Sequence, residues 1–482
     1  MLFNSFSYAV FLPIVFILYW IVPKRFQWFI LLVSSYYFYM SWNAKYVFLI
    51  LLITFISYGT ALLVEKTGEP KKKKFFLVLA VVSSLSILFL FKYYNFLAVS
   101  ISGAAGLFSV QMDPLLIKVI LPVGISFYVF QTISYVTDVY RGQVPAERHF
   151  GKYATFVAFF PQLVAGPIER TSSLMPQIKE HHSFSYDQAS YGLKLMAWGF
   201  FKKLVIADTF ASYSDKIYNN VTLFQGFSLC LATFFFTVQI YCDFSGYSDI
   251  ALGTARLFGI ELMQNFKSPY FSGSIREFWS KWHISLSTWF KDYVYIPLGG
   301  NRVSKWRHRW NLLATFMVSG LWHGANWTFV IWGAVHGLAQ VAEDALSGNS
   351  LSKQEKRNGR KHYAAVIPVF LFVSFAWIFF RAATLNDAWY IITNAFTGIS
   401  SPLTYLAEGI AVFELGKRGL LFCAIVLFLL GSYDFASEKK DVIAWVGSQK
   451  LVIRWMIYML LVWGIIFFTP TTSGKEFIYF QF

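Results

Sequence analysis

Charge is what this sequence has least of. Asp, Glu, Lys and Arg make up 14% of its 482 residues, against about a quarter in soluble domains. That scarcity excludes an ordinary water-soluble globular protein. Cysteine is also rare. Cys230, Cys242 and Cys423 sit far apart in apolar runs and lack metal-ligand spacing, so they read as structural filler. No basic residue precedes Lys24. This argues against a cleaved signal peptide and makes the first apolar stretch a retained anchor. Several chemical signatures are missing too. There is no Gly-x-x-x-x-Gly-Lys-Ser/Thr phosphate loop, which disfavours ATP-driven pumping, and no His-Glu-x-x-His metal motif. The Gly-x-Ser-x-Gly nucleophile elbow is absent as well. The His-x-x-x-x-Asp dyad spacing of many lipid acyltransferases fails at every histidine, with Thr288 and Thr328 standing at the two positions of interest. No metal site is expected.

What is present is apolar: 56% hydrophobic and 20% aromatic, with 53 Phe. The chain is expected to be an all-α polytopic membrane protein. Candidate spans lie near 8–22, 27–42, 46–64, 75–92, 115–136, 153–168, 190–207, 227–245, 311–338, 364–381, 419–433 and 451–469. The short ones are candidates for re-entrant elements. The net charge of +16 sits in short loops: Lys71 to Lys74, then Arg302, Lys305, Arg307 and Arg309, then Lys353, Lys356, Arg357, Arg360 and Lys361. This is the positive-inside pattern; no basic face suited to nucleic acid is evident. Cytoplasmic loops at Lys24-Arg25 and Lys66–Lys74 place the N-terminus outside.

The middle differs from the ends. From about residue 120 to 340, Gly, Pro and polar residues break the apolar runs, as at Pro122-Val-Gly124, Gly166-Pro167, Asp243-Phe-Ser-Gly246 and Pro297-Leu-Gly-Gly300. We therefore expect one domain over 1–482, with a catalytic core at 116–340 between flanking spans at 1–115 and 341–482. No internal repeat stands out, which weakens an inverted-repeat transporter reading. Residues 276–293 interleave Arg276, Lys281, His283 and Lys291 with Phe278, Trp279, Trp282 and Trp289. The pattern fits an interfacial helix with aromatic anchors. It equally fits a helix that dips in and carries His283 to a cavity.

Ser319-Gly-Leu-Trp-His-Gly-Ala-Asn-Trp327 is the most informative stretch, because it sets His323 inside an apolar aromatic run. An ionisable group at membrane depth is costly and reads by default as functional. A neutral imidazole can take a proton from an attacking hydroxyl. Gly324 leaves room for a ligand to approach, and Trp322, Asn326 and Trp327 offer walls and a polar handle. A core histidine satisfied by a backbone carbonyl fits the composition as well. His283 is a second candidate for proton work, or an ordinary interfacial histidine. His336 lies thirteen residues beyond His323, some 140° away on one unbroken helix, and is expected to be structural. Asp243 and Asp249 either pair with Arg256 or Arg276 or line a polar cavity. Arg302 and Arg307 either meet nucleotide phosphates or simply set topology.

At this point the residues resemble a known family. Gln162-Leu-Val-Ala-Gly-Pro-Ile168, Tyr241-Cys-Asp-Phe-Ser-Gly-Tyr-Ser-Asp249, Phe278-Trp-Ser-Lys-Trp-His-Ile-Ser-Leu-Ser287, Tyr295-Ile-Pro-Leu-Gly-Gly-Asn301 and Leu321-Trp-His-Gly324 are similar to the membrane-bound O-acyltransferases, in their bacterial alginate O-acetyltransferase-like branch. The opening Met1-Leu-Phe-Asn-Ser5 and the closing Phe477-Ile-Tyr-Phe-Gln-Phe482 resemble it too. The resemblance implies a ring of about ten to twelve transmembrane helices around a central tunnel, with re-entrant and interfacial helices. It places His323 at the family's essential histidine and His283 at its second polar position. Trp282, Trp322, Asn326, Arg276 and Asp243 become candidate substrate-binding residues. It implies acetyl-CoA as a donor substrate rather than a tightly bound cofactor, and an extracytoplasmic glycan hydroxyl as acceptor. It also implies an exported acetyltransferase partner and a bacterial cytoplasmic-membrane location among lipid. Alginate, peptidoglycan, teichoic acid and cellulose modifiers share these motifs. Two readings of another class remain: a transport module for acyl groups or polysaccharide, and a scaffold that docks a partner through the aromatic tail Phe477–Phe482.

Overall fold

The computed structural model describes residues 1–164, 166–347, 359–469 and 477. Lys353, Lys356 and Arg357 of the third basic cluster, and the tail beyond Phe477, lie outside the described residues. The described residues are mostly helical, with no strand among them. Six helices are long and apolar enough to cross a membrane: Ala44–Lys66, Pro70–Leu107, Phe227–Leu257, Tyr363–Arg381, Gly416–Ser437 and Leu451–Phe468. The chain is an all-α polytopic membrane protein. It divides into two compact units, one of residues 1–196 and 250–263, the other of 197–249 and 264–482.

In the first unit, Phe6–Ile21 starts at Ser5, whose hydroxyl accepts the Tyr8 N–H. This satisfies a helix-end donor that would otherwise go unmet. The unit's core is aromatic. Tyr8 shares a 2.6 Å hydrogen bond with Thr254, and the Tyr19 hydroxyl donates to the Phe258 carbonyl at 3.0 Å. Two expected spans are not continuous helices here. Residues 110–122 form no regular secondary structure, and the helix begins only at Ile125, after Pro122 and a left-handed Gly124 (φ +75°). The stretch 153–168 holds two short helices, Phe150–Ala158 and Phe160–Leu163, parted at Phe159 beside Pro161. Proline lacks the N–H and crowds the preceding turn, so a single span cannot form.

The second unit holds both candidate histidines. Its other expectation to be corrected is 311–338. That stretch is not one span but the facing parts of two helices, Lys305–His323 and Trp327–Ser347. The chain reverses at Gly324–Asn326. A Cβ on Gly320 would lie 2.1 Å from the Phe329 carbonyl oxygen, and one on Gly333 would lie 2.3 Å from that of Phe316. The helices therefore run antiparallel in backbone contact, which only glycine permits.

Candidate functional site

His283 and His323 are placed by two different breaks in helical structure. The expected helix 276–293 is two short helices, Ile275–Lys281 and Ile284–Phe290. Between them His283 adopts a left-handed backbone, φ +43° and ψ +55°. Histidine tolerates that region better than most side chains, but still at a cost. Asn265 holds the turn: its carbonyl accepts the Ile284 N–H at 2.9 Å, and its Oδ1 accepts the Ser285 N–H at 3.3 Å. His323 is the last residue of its helix. Asn326 opens the next one, its Oδ1 accepting the Thr328 N–H at 3.1 Å while its amide donates to the Ala383 carbonyl at 3.1 Å.

Both imidazoles are buried among rings. Phe244 meets His283 edge-on at 4.6 Å. His323 meets Trp332 at 5.1 Å and Phe380 at 5.3 Å. Trp322 touches both, with centroids 6.1 Å from His283 and 4.9 Å from His323. The two histidines, forty positions apart in sequence, are thus gathered around one indole. His283 lies outside the six long apolar helices, and burial pushes its imidazole down to about 3, so the ring is neutral near pH 7.

A cavity of about 1070 Å³ lies in the same unit, and neither His283 nor His323 is among the residues that line it. Its wall includes Trp279, Ile284 and Ser319. Ile284 follows His283 directly. Ser319 lies four residues before His323, on the same helix face. Its cationic side chains are Arg276, Lys291, Lys305 and Arg309, with Asp344 as the acid. His308 sits there between two partners, with Nδ1 2.8 Å from the Tyr295 hydroxyl and Nε2 3.5 Å from Asp344. Such a cavity, cationic on one part and aromatic on another, suits a ligand that carries phosphate on an otherwise uncharged arm.

The structure distributes the other candidates unevenly. Trp282 is fully buried against Phe266 at 5.1 Å and Trp377 at 5.1 Å. Arg276 lines the cavity, whereas Arg302 and Arg307 do not. Lysines, in place of the expected Arg256 or Arg276, stand against Asp243 and Asp249. Asp243 meets Lys203 at 2.8 Å, and Asp249 meets Lys202 at 2.7 Å. The expected open space at Gly324 is filled by the Phe329 ring, which a Cβ there would meet at 2.1 Å. Sequence reasoning missed the buried ionic cluster. Lys203 also meets Asp208 at 2.8 Å, and the Tyr241 hydroxyl donates to Asp434 at 2.9 Å. Two adjacent lysines inside the apolar run 190–207 were the available signal, since a buried lysine needs a carboxylate. Phe477 packs against the same helix, 4.6 Å from Tyr247 and 5.6 Å from Phe244.

Comparison with known proteins agrees with this architecture. Residues 31–386 match the model of the membrane-bound O-acyltransferase family. A probable alginate O-acetylase of Azotobacter vinelandii is 40% identical over 431 residues, 89% of this chain and 84% of that protein. One from Pseudomonas putida is 37% identical over 98% of both chains. A peptidoglycan O-acetyltransferase of Helicobacter pylori is 36% identical over 80% of this chain and 78% of its own.

Proposed function

Because the chain belongs to the membrane-bound O-acyltransferase family, we propose that it moves an acetyl group from cytoplasmic acetyl-CoA to a hydroxyl of an extracytoplasmic polysaccharide, with His323 as the general base. The observation that carries this reading is the gathering of two buried imidazoles around Trp322, with Ile284 and Ser319 linking their segments to the wall of a cavity of mixed cationic and aromatic lining. In the proposed step, His323 takes the proton of the acceptor hydroxyl as its oxygen attacks the thioester carbonyl. The tetrahedral intermediate collapses, the C–S bond breaks, and His323 returns the proton to the departing thiolate. His283, neutral and fixed by its turn, positions the thioester or relays the proton. Trp282 and Trp322 shape the site, Asn326 holds the turn beyond His323, and Asp243 acts from within the ionic cluster.

Arg276, Lys291, Lys305 and Arg309 would receive the donor's phosphates. The acceptor is read from the relatives' names, alginate or peptidoglycan, reached directly or through an exported transferase. The basic residues Lys24-Arg25, in a short turn, and Lys71–Lys74, in the first turn of the helix Pro70–Leu88 rather than in a loop, support an outward N-terminus in the bacterial inner membrane. The test is a purified-protein assay with labelled acetyl-CoA. Bond cleavage that depends on His323 is the expected result; binding or flux without cleavage would replace the enzyme with a transport module.

A further inference from the structure

We propose that His336 is a positioning residue for the transfer, acting through the indole of Trp279 on the cavity wall; this rests on reading that cavity as the donor's. The reversal at Gly324–Asn326 removes the premise that made His336 look remote. On the folded-back helix its ring packs against Trp332 at 5.0 Å, while His323 packs against the same Trp332 at 5.1 Å. Trp279 lines the cavity, and its indole N–H donates to Nδ1 of His336 at 3.3 Å. A ring nitrogen that accepts carries no proton, so the imidazole is neutral and protonated on Nε2.

Packing alone does not account for histidine here. The ring is fully buried, lying parallel to Phe278 (interplanar 6°, 6.2 Å) and edge-on to Phe372 at 5.7 Å. Phenylalanine would present the same apolar faces to that aromatic nest, at the cost of a somewhat larger ring. Histidine is the costlier choice, because Nε2–H finds no hydrogen-bond partner among the described residues, and an unmet buried donor is destabilising. What the imidazole adds over phenyl is the acceptor for Trp279. That bond fixes the rotation of an indole whose edge shapes the space reaching Ser319, one turn from His323. His336 touches no reacting atom. Its role is to hold the wall that sets how far the donor enters.

The test compares purified full-length His336→Phe, His336→Asn and Trp279→Phe with the double Trp279→Phe/His336→Phe, using labelled acetyl-CoA. The Asn Oδ1 stands close to the place of Nδ1 and keeps the acceptor. We expect His336→Phe and Trp279→Phe each to raise KM about tenfold with kcat within about twofold, the double variant to be no worse than the worse single, and His336→Asn to recover most of the loss. An unchanged KM, a fall in kcat alone, multiplicative effects in the double variant, or failure of asparagine to rescue would each overturn the proposal. Should His336→Phe not fold, Trp279→Phe carries the kinetic test. A second readout needs no turnover: thiol labelling of Ser319→Cys, in a chain with its three native cysteines replaced by alanine. A rate changed at least about threefold by Trp279→Phe or His336→Phe supports the positioning role, and an unchanged rate refutes it. If the wild type does not cleave acetyl-CoA, the proposed function fails, and this labelling still decides the role of His336.

Discussion

Phe227–Leu257 and Leu451–Phe468 are both long and apolar enough to cross a membrane, yet they live in opposite environments. The first has the lower mean hydropathy, 1.5 against 2.2, and 78% of its apolar window is buried by protein; none of the second is. The first carries Asp243 and Asp249, each paired with a buried lysine. The second carries one charge, Arg454, in its first turn, bonded to the Gly447 carbonyl. Lipid is as apolar as leucine, so hydropathy does not say which helix faces protein. Polar groups do, because they need partners that lipid cannot supply.

The comparison can be broken or sharpened by substitution. The largest effect belongs to the buried polar core. His323→Ala should lower O-acetylation by about a thousandfold or more, with protein level and membrane insertion unchanged on immunoblots. Retained acetylation at normal expression would remove His323 from the reaction. Lys203→Met leaves Asp208 and Asp243 without their shared cation and should cost about 3–5 kcal/mol, seen as a lower unfolding midpoint in detergent. A midpoint equal to the wild type's would deny the ion pairs their structural role.

His283 gives a smaller, pH-dependent effect. Its folded value is about 3 against an ordinary 6.5. The unfolded chain therefore binds a proton first as pH falls, and stability declines from about pH 6.5 downward, by about 2 kcal/mol at pH 5. His283→Asn should flatten that slope in pH-resolved melting curves; an unaltered slope would assign it to other groups. Replacing Lys305 and Arg309 together by alanine should raise KM for acetyl-CoA about tenfold, less so at high salt. A salt-independent KM would argue against phosphate recognition there. Leu460→Ala, at an exposed position of Leu451–Phe468, should change stability and activity by less than about 0.5 kcal/mol. A larger loss would mean that Leu460 itself has a protein partner.

The architecture was legible where polarity and periodicity agreed. Low charge and recurring apolar runs identify an all-α membrane protein, and helices such as Leu451–Phe468 fall within a residue or two of their expected bounds. Legibility failed where a few residues reverse the chain. Read as 311–338, the hairpin is a single span, because Gly320 and Gly333 look like lapses in hydropathy rather than a contact surface. The 140° separation of His336 from His323 falls with it, because the helix along which it is reckoned ends at His323. The ionic cluster stayed hidden for another reason. Lys203 and Asp243 are forty positions apart, and nothing local to either says that they meet. His283 and His323 were identifiable as chemistry-bearing groups by their settings, but their common contact with Trp322 belongs to tertiary structure alone.

The left-handed main chain at His283 decides how that position has to be probed. A β-branched replacement there would force the backbone out of its well and disturb both flanking helices, so its phenotype would describe a broken corner instead of a missing ring. Asparagine and glycine tolerate the same dihedral angles. A panel of asparagine, glycine and valine at residue 283 therefore separates main-chain geometry from imidazole chemistry, which an alanine scan would merge into one number.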